Sequence, residues 1–99
     1  MTKALIGTDF KKLEKLGFKV FNFSNNRALR NGMKDFVDIF VVGHKRTFAI
    51  EIKIGKDKLS AGQEVTRRLF EQCDNYHLAT ENNYKNIINL IEWCAGERV

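Results

Sequence analysis

The chain has 99 residues, 43% of them hydrophobic, and its 17 Lys and Arg against 12 Asp and Glu leave a formal charge of +5. That length fits one domain spanning 1–99, and the apolar content excludes a disordered chain. The basic excess favours a polyanionic partner, with nucleic acid ranked ahead of an anionic membrane surface because no basic amphipathic helix with an aromatic face stands out.

Cys73 and Cys94 are too few for a secreted disulfide framework, and they lie outside any CxxC spacing. Both fall at apolar positions of predicted helices and are expected as buried free thiols. No apolar run reaches the length of a membrane span. The opening MTKALIGTDF lacks the apolar core of a signal peptide, so a cytoplasmic, reducing location is expected.

In chain order, the pattern predicts a first helix over Asp9–Leu16, capped by Thr8, stopped by Gly17 and carrying Phe10, Leu13 and Leu16 inward. FKVFNF predicts a short strand that runs into the polar loop SNNRALRNG. Phe36–Val42 and Thr47–Ile54 predict an antiparallel hairpin with one apolar face, turning at Gly43–Arg46. Ser60 starts a second helix with Val65, Leu69 and Cys73 at four-residue steps. Tyr76–Ala79 predicts a fourth strand, and Glu81–Cys94 a last helix with Tyr84, Ile87, Ile88 and Ile91 on its inner face. The resulting α-β-β-β-α-β-α order calls for a mixed central sheet, with a right-handed crossover from the third strand to the fourth.

The chemistry is concentrated on the hairpin. Residues alternate faces along a strand, so Glu51 and Lys53 share a face while Phe48, Ile50, Ile52 and Ile54 share the other. Asp38 interrupts the apolar run FVDIFVV on the partner strand. Two acids and a lysine gathered on a sheet suit a divalent cation held against a phosphodiester: carboxylates bind the ion, the ion polarises the phosphoryl oxygen and acidifies water, and lysine serves the attacking water or the developing charge. The alternative is a surface Glu51/Lys53 pair beside an exposed Asp38, contributing little. Gln63 closes a capping box with Ser60, which by spacing alone accounts for it. Arg27, Arg30, Lys56 and Lys58 flank this region as candidate phosphate contacts, whereas Lys11, Lys12 and Lys15 read as a solvated face. His44 and His77 have no metal-ligand neighbour at useful spacing.

The stretch from Gly32 to Gln63, GMKDFVDIFVVGHKRTFAIEIKIGKDKLSAGQ, resembles the VRR-NUC family of the PD-(D/E)XK nuclease superfamily. The likeness rests on a Gly-led loop, an acid on a strand, a hairpin, Glu-X-Lys, the charged Lys-Asp-Lys-Leu-Ser exit and a Gln on the next helix. FNFSNN before the loop is similar to the family's aromatic-polar strand end. The resemblance implies a PD-(D/E)XK restriction-endonuclease-like fold and a Mg²⁺-dependent DNA endonuclease, with Mn²⁺ as a substitute ion. It makes Asp38, Glu51 and the backbone carbonyl of Ile52 the metal ligands, gives Lys53 to the attacking water, and adds Gln63 to the active site. Small stand-alone members, often phage-encoded, resemble homodimers that cut branched DNA such as Holliday junctions, and paired sites suit paired incisions. A less selective nickase or flap nuclease, or a non-catalytic nuclease-fold DNA-binding module, are the other readings. The chain departs from the family pattern in having Val37 before the acid, and Thr2, Thr8 and Asp9 where members commonly carry a first-helix glutamate.

Overall fold

The computed structural model describes residues 2–24 and 35–96, and Arg27 and Arg30 lie outside these described residues. The elements are α1 (Lys3–Lys11) continued by a 3₁₀ segment (Lys12–Leu16), β1 (Lys19–Asn22), β2 (Ile39–Gly43), β3 (Arg46–Ile52), α2 (Ala61–Glu71), β4 (Tyr76–Ala79) and α3 (Tyr84–Gly96). The chain is a mixed α/β domain in the predicted element order, with a four-stranded mixed sheet and three α-helices among the described residues. The strands lie in the order β1-β2-β3-β4; β1, β2 and β3 pair antiparallel, and β4 runs parallel to β3.

The first helix begins earlier than its sequence suggests. Thr2, not Thr8, is the cap, its hydroxyl accepting from the Leu5 N–H at 3.2 Å. The Thr8 hydroxyl instead donates to the Ala4 carbonyl one turn back. Ile6, Phe10 and Leu13, at four- and three-residue steps, form the buried stripe, while Leu16 is 42% exposed. Gly17, at φ 95°, ends the segment as expected, in a conformation that a side chain would disfavour.

Both faces of the sheet are covered. On one face, Ile6, Phe10 and Leu13 meet Val20, Ile39, Val41, Phe48, Ile50 and Ile52, with Tyr84, Ile87, Ile91 and Cys94 of α3 completing the core. The Tyr84 hydroxyl donates to Asp9 at 3.2 Å, tying α3 to α1. On the opposite face lies α2, which brings Phe70 against Phe36 and Phe40 and lays Arg67 over the Tyr76 ring. The hairpin therefore does not have the single apolar face that alternation predicts: β3 is buried at every position from Phe48 to Ile52.

The α2 stripe of Val65, Leu69 and Cys73 faces away from the sheet; Val65 is 54% and Leu69 60% exposed, and Cys73 is an exposed thiol. The expectation of two buried cysteines holds only for Cys94. The reason is the surface α2 packs on. It carries Glu51, Tyr76 and the Phe rings, so the helix turns Gln63, Arg67 and Phe70 inward instead of its aliphatic side.

The hairpin turns at His44 and Lys45, both in the left-handed region at φ 53° and 64°, the geometry whose twist matches paired strands. Gly43 precedes it at a point of close approach: a Cβ there would stand 2.8 Å from a Phe18 ring carbon, 2.9 Å from the Phe18 Cα and 3.0 Å from the Gly17 carbonyl oxygen. Two of these are backbone atoms that cannot swing aside. Gly43→Ala is expected to lower unfolding stability by about 1–3 kcal/mol, read as a reduced urea midpoint with an unchanged slope. Both strands are displaced toward the turn: β2 spans Ile39–Gly43 rather than Phe36–Val42, and β3 spans Arg46–Ile52 rather than Thr47–Ile54. The last helix likewise starts at Tyr84 rather than Glu81, because Asn83 uses its side chain to bind the Thr80 N–H and the Leu78 carbonyl. No helix among the described residues is long and apolar enough to cross a membrane.

Candidate functional site

The β2–β3 register sets the acids side by side. Ile39 pairs with Ile50 and Phe40 with Ala49, so one further step along the hairpin places Asp38 opposite Glu51. Residues opposite each other in an antiparallel pair share a face, which is the face covered by α2. Asp38 stands at a bend just before β2 rather than inside the strand. Its backbone carbonyl accepts from the Phe23 N–H at 2.8 Å and its Oδ2 from the Ile52 N–H at 2.9 Å. The main chain on both sides thereby fixes it.

Neither acid is at the surface: Asp38 is 3% and Glu51 2% exposed. This removes the alternative of a solvated surface pair. Burial drives the Glu51 carboxyl up to about 8, with the Asp38 charge and a hydrogen bond between the two carboxyls acting in the same direction; Lys53 and Lys3 oppose the rise. The pair therefore keeps one proton near neutral pH. Lys53, one residue past β3, directs its Nζ to Glu51 Oε2 at 3.8 Å with its side chain 14% exposed. The alternation that put Glu51 and Lys53 on one face is realised here.

Gln63 does two jobs that its spacing presented as alternatives. Its Oε1 accepts from the Ser60 N–H at 2.9 Å while the Ser60 hydroxyl accepts from the Gln63 N–H at 3.1 Å, a complete capping box. Its Nε2 at the same time donates to Glu51 Oε2 at 3.3 Å. One amide both starts α2 and contacts the acid pair. Gln63→Ala is expected to cost about 0.5–1 kcal/mol of stability through the lost cap, whereas Gln63→Glu keeps the arm to Ser60 and sets a second acid against Glu51. Urea melts of the two variants at pH 6 and pH 8 check this, with the Glu variant losing more at the higher pH.

Sequence patterns missed several members of this site. Lys3, from the first turn of α1, places Nζ 3.6 Å from Asp38 Oδ2. Tyr76 of β4 has a buried hydroxyl without a hydrogen-bond partner among the described residues, and burial followed by the Glu51 charge raises it far above its ordinary value. Asp35, at φ 69°, accepts from the Ser60 hydroxyl at 3.3 Å and packs on Gly62, where a Cβ would collide with its carboxylate. Among the described residues, nothing groups three or more His, Cys, Asp or Glu side chains. Lys56 and Lys58 are exposed on the segment between β3 and α2. His44 sits against the Phe18 ring and His77 against Phe48, both outside the acid site.

The donor set fits a hard divalent cation. Mg²⁺ accepts one or two carboxylates and completes its shell with carbonyl, water and phosphate oxygens, so the acid pair is sufficient protein ligation. The amide and carbonyl of a strand residue point to the same side, and the Ile52 amide points at Asp38; its carbonyl is directed to that same edge. The buried Tyr76 hydroxyl beside the acid pair has no hydrogen-bond partner among the described residues and would accept one from a bound water or ligand. No family model, curated protein or solved structure matches the chain.

Proposed function

We propose that the chain is a Mg²⁺-dependent DNA endonuclease of the PD-(D/E)XK type, in line with the VRR-NUC resemblance of residues 32–63. The observation that carries this reading is the buried Asp38–Glu51 pair with Lys53 and Gln63 gathered on it. Burying two like charges side by side is costly, and a site that does so gains most when a cation enters. The hairpin followed by a helix and a parallel strand is the scaffold such a site requires, with the acids at the strand ends and α2 closing one side.

In this reading Asp38, Glu51 and the Ile52 carbonyl hold Mg²⁺, which when bound polarises the phosphoryl oxygen and acidifies water. Mn²⁺ meets the same requirements. Lys53 orients the attacking water and presents its ammonium to the charge that develops on phosphorus oxygens. Gln63 holds Glu51 in place through its Nε2. Lys56 and Lys58, with Arg27 and Arg30, contact backbone phosphates and position the scissile bond without reading sequence. The net charge of +5 supports a polyanionic substrate.

Branched DNA of the Holliday-junction kind, cut by a homodimer in the cytoplasm (that of a host, for a phage-encoded chain), is the substrate class proposed. Cleavage of labelled junction, flap, single-stranded and duplex DNA in Mg²⁺ and Mn²⁺ tests it. Metal-dependent, paired incision of the junction is the expected result. Preferential flap or duplex nicking assigns the less selective nuclease instead, and junction binding without cutting in either metal assigns the non-catalytic module.

A further inference from the structure

Lys3 occupies a position that helix electrostatics disfavour. The first turn of a helix carries the positive end of the dipole and prefers acids, yet α1 has none in its first turn and has a lysine there. What compensates is Asp38: the Lys3 Nζ lies 3.6 Å from Asp38 Oδ2, the oxygen that also accepts the Ile52 amide. Thr2 caps α1 immediately before it, so the Lys3 backbone is held by the helix start. Lys53 stands 3.8 Å from Glu51 on the other side. Each buried carboxylate thus has an ammonium nearby, Lys3 at Asp38 and Lys53 at Glu51, and neither offsets the cost of burying the pair, since the Glu51 carboxyl is still pushed upward.

Resting on the metal reading above, we propose that Lys3 takes the place of a second metal ion, so that the site binds one divalent cation per chain. A second cation beside Asp38 would face the Lys3 ammonium at contact range, where repulsion in a buried site is strong. It would also lack ligands, since no further His, Cys, Asp or Glu of the described residues joins the acid pair in a group of three. Lys3 supplies fixed positive charge where a second ion would otherwise supply exchangeable charge.

Counting bound Mn²⁺ at pH 8.5 tests this, by paramagnetic resonance of the free ion and by titration calorimetry, taking only sites that Asp38→Ala abolishes. The wild-type chain is expected to bind one ion. Lys3→Glu adds a carboxylate in place of the ammonium and is expected to bind two, while Lys3→Arg keeps one. Lys3→Met, which retains the stem and cannot fail through a third buried acid, is expected to bind its single ion about tenfold more tightly because the nearby repulsion is gone. Two ions in the wild type, one ion in a folded Lys3→Glu chain, or unchanged affinity in Lys3→Met each overturn the role given to Lys3 and leave the metal site standing. Absence of Mn²⁺ binding in every chain overturns the metal reading itself, and this inference with it.

Discussion

On the nuclease reading proposed above, Asp38→Asn is expected to remove Mg²⁺-dependent DNA cleavage, with a loss on the order of 10²–10³-fold or more in kcat, and to leave the fold in place. The asparagine side-chain oxygen can still accept the Ile52 N–H that Asp38 accepts at 2.9 Å, so the start of β2 remains anchored. What disappears is the negative charge that would ligate the proposed ion. Lys53→Met gives a loss of similar size for a different reason: it keeps the apolar stem of a side chain only 14% exposed and removes the ammonium beside Glu51. Single-turnover cleavage of a junction substrate, alongside circular dichroism and thermal melting, measures both. Full activity in either variant would reject the site.

The second large effect is on stability, and its sign follows from the acid pair. The Glu51 carboxyl is raised from 4.5 to about 8, first by burial and then by Asp38. A group that holds its proton more tightly folded than unfolded stabilises the fold fully below its unfolded value. That contribution is lost as pH rises through the folded value. The metal-free protein is therefore expected to lose stability progressively from about pH 4.5 to pH 8, the window between those two values. If the pair holds Mg²⁺ as proposed, the ion is expected to reverse the trend by binding the ionised pair and displacing a proton, and its apparent affinity should rise roughly tenfold per pH unit up to that point. Glu51→Gln, which removes the ionisation, should flatten the metal-free profile, melt several degrees above the wild type at pH 8.5, and no longer respond to Mg²⁺. Melting curves in EDTA and in Mg²⁺ from pH 5 to pH 9 provide the check. A metal-free melting temperature that rises across this interval would contradict the buried pair.

Local pattern made much of this architecture legible. β-branched and aromatic runs marked the strands, the Ser60–Gln63 spacing marked the start of α2, and alternation put Glu51 and Lys53 together. The start of α1 was harder to read. Ile6, Phe10 and Leu13 have helical spacing, but Gly7 lies among them, and glycine ordinarily counts against a helix interior. Its setting is tertiary: the Asn22 side-chain amide packs where a Cβ would stand, so a larger residue at Gly7 would have to displace it. The pattern starts the helix at Asp9 where the structure starts it at Lys3, so Lys3 falls outside every sequence pattern.

The α2 stripe makes the same point in reverse. Val65, Leu69 and Cys73 have the spacing of a core face, yet they face solvent, because Gln63, Arg67 and Phe70 are the side chains that match a sheet surface bearing an acid and aromatic rings. Periodicity identifies a helical stripe without saying which surface the helix will meet.

By itself the sequence determined the element order, the hairpin, the α2 cap and the shared face of Glu51 and Lys53, since each depends on residues close together in the chain. Tertiary structure alone decided that Asp38 and Glu51 are buried as a pair, that Gln63 serves the cap and the acid together, and that Lys3 reaches Asp38. Those outcomes depend on strand register and on what covers each face of the sheet, and both are set by contacts between segments distant in sequence.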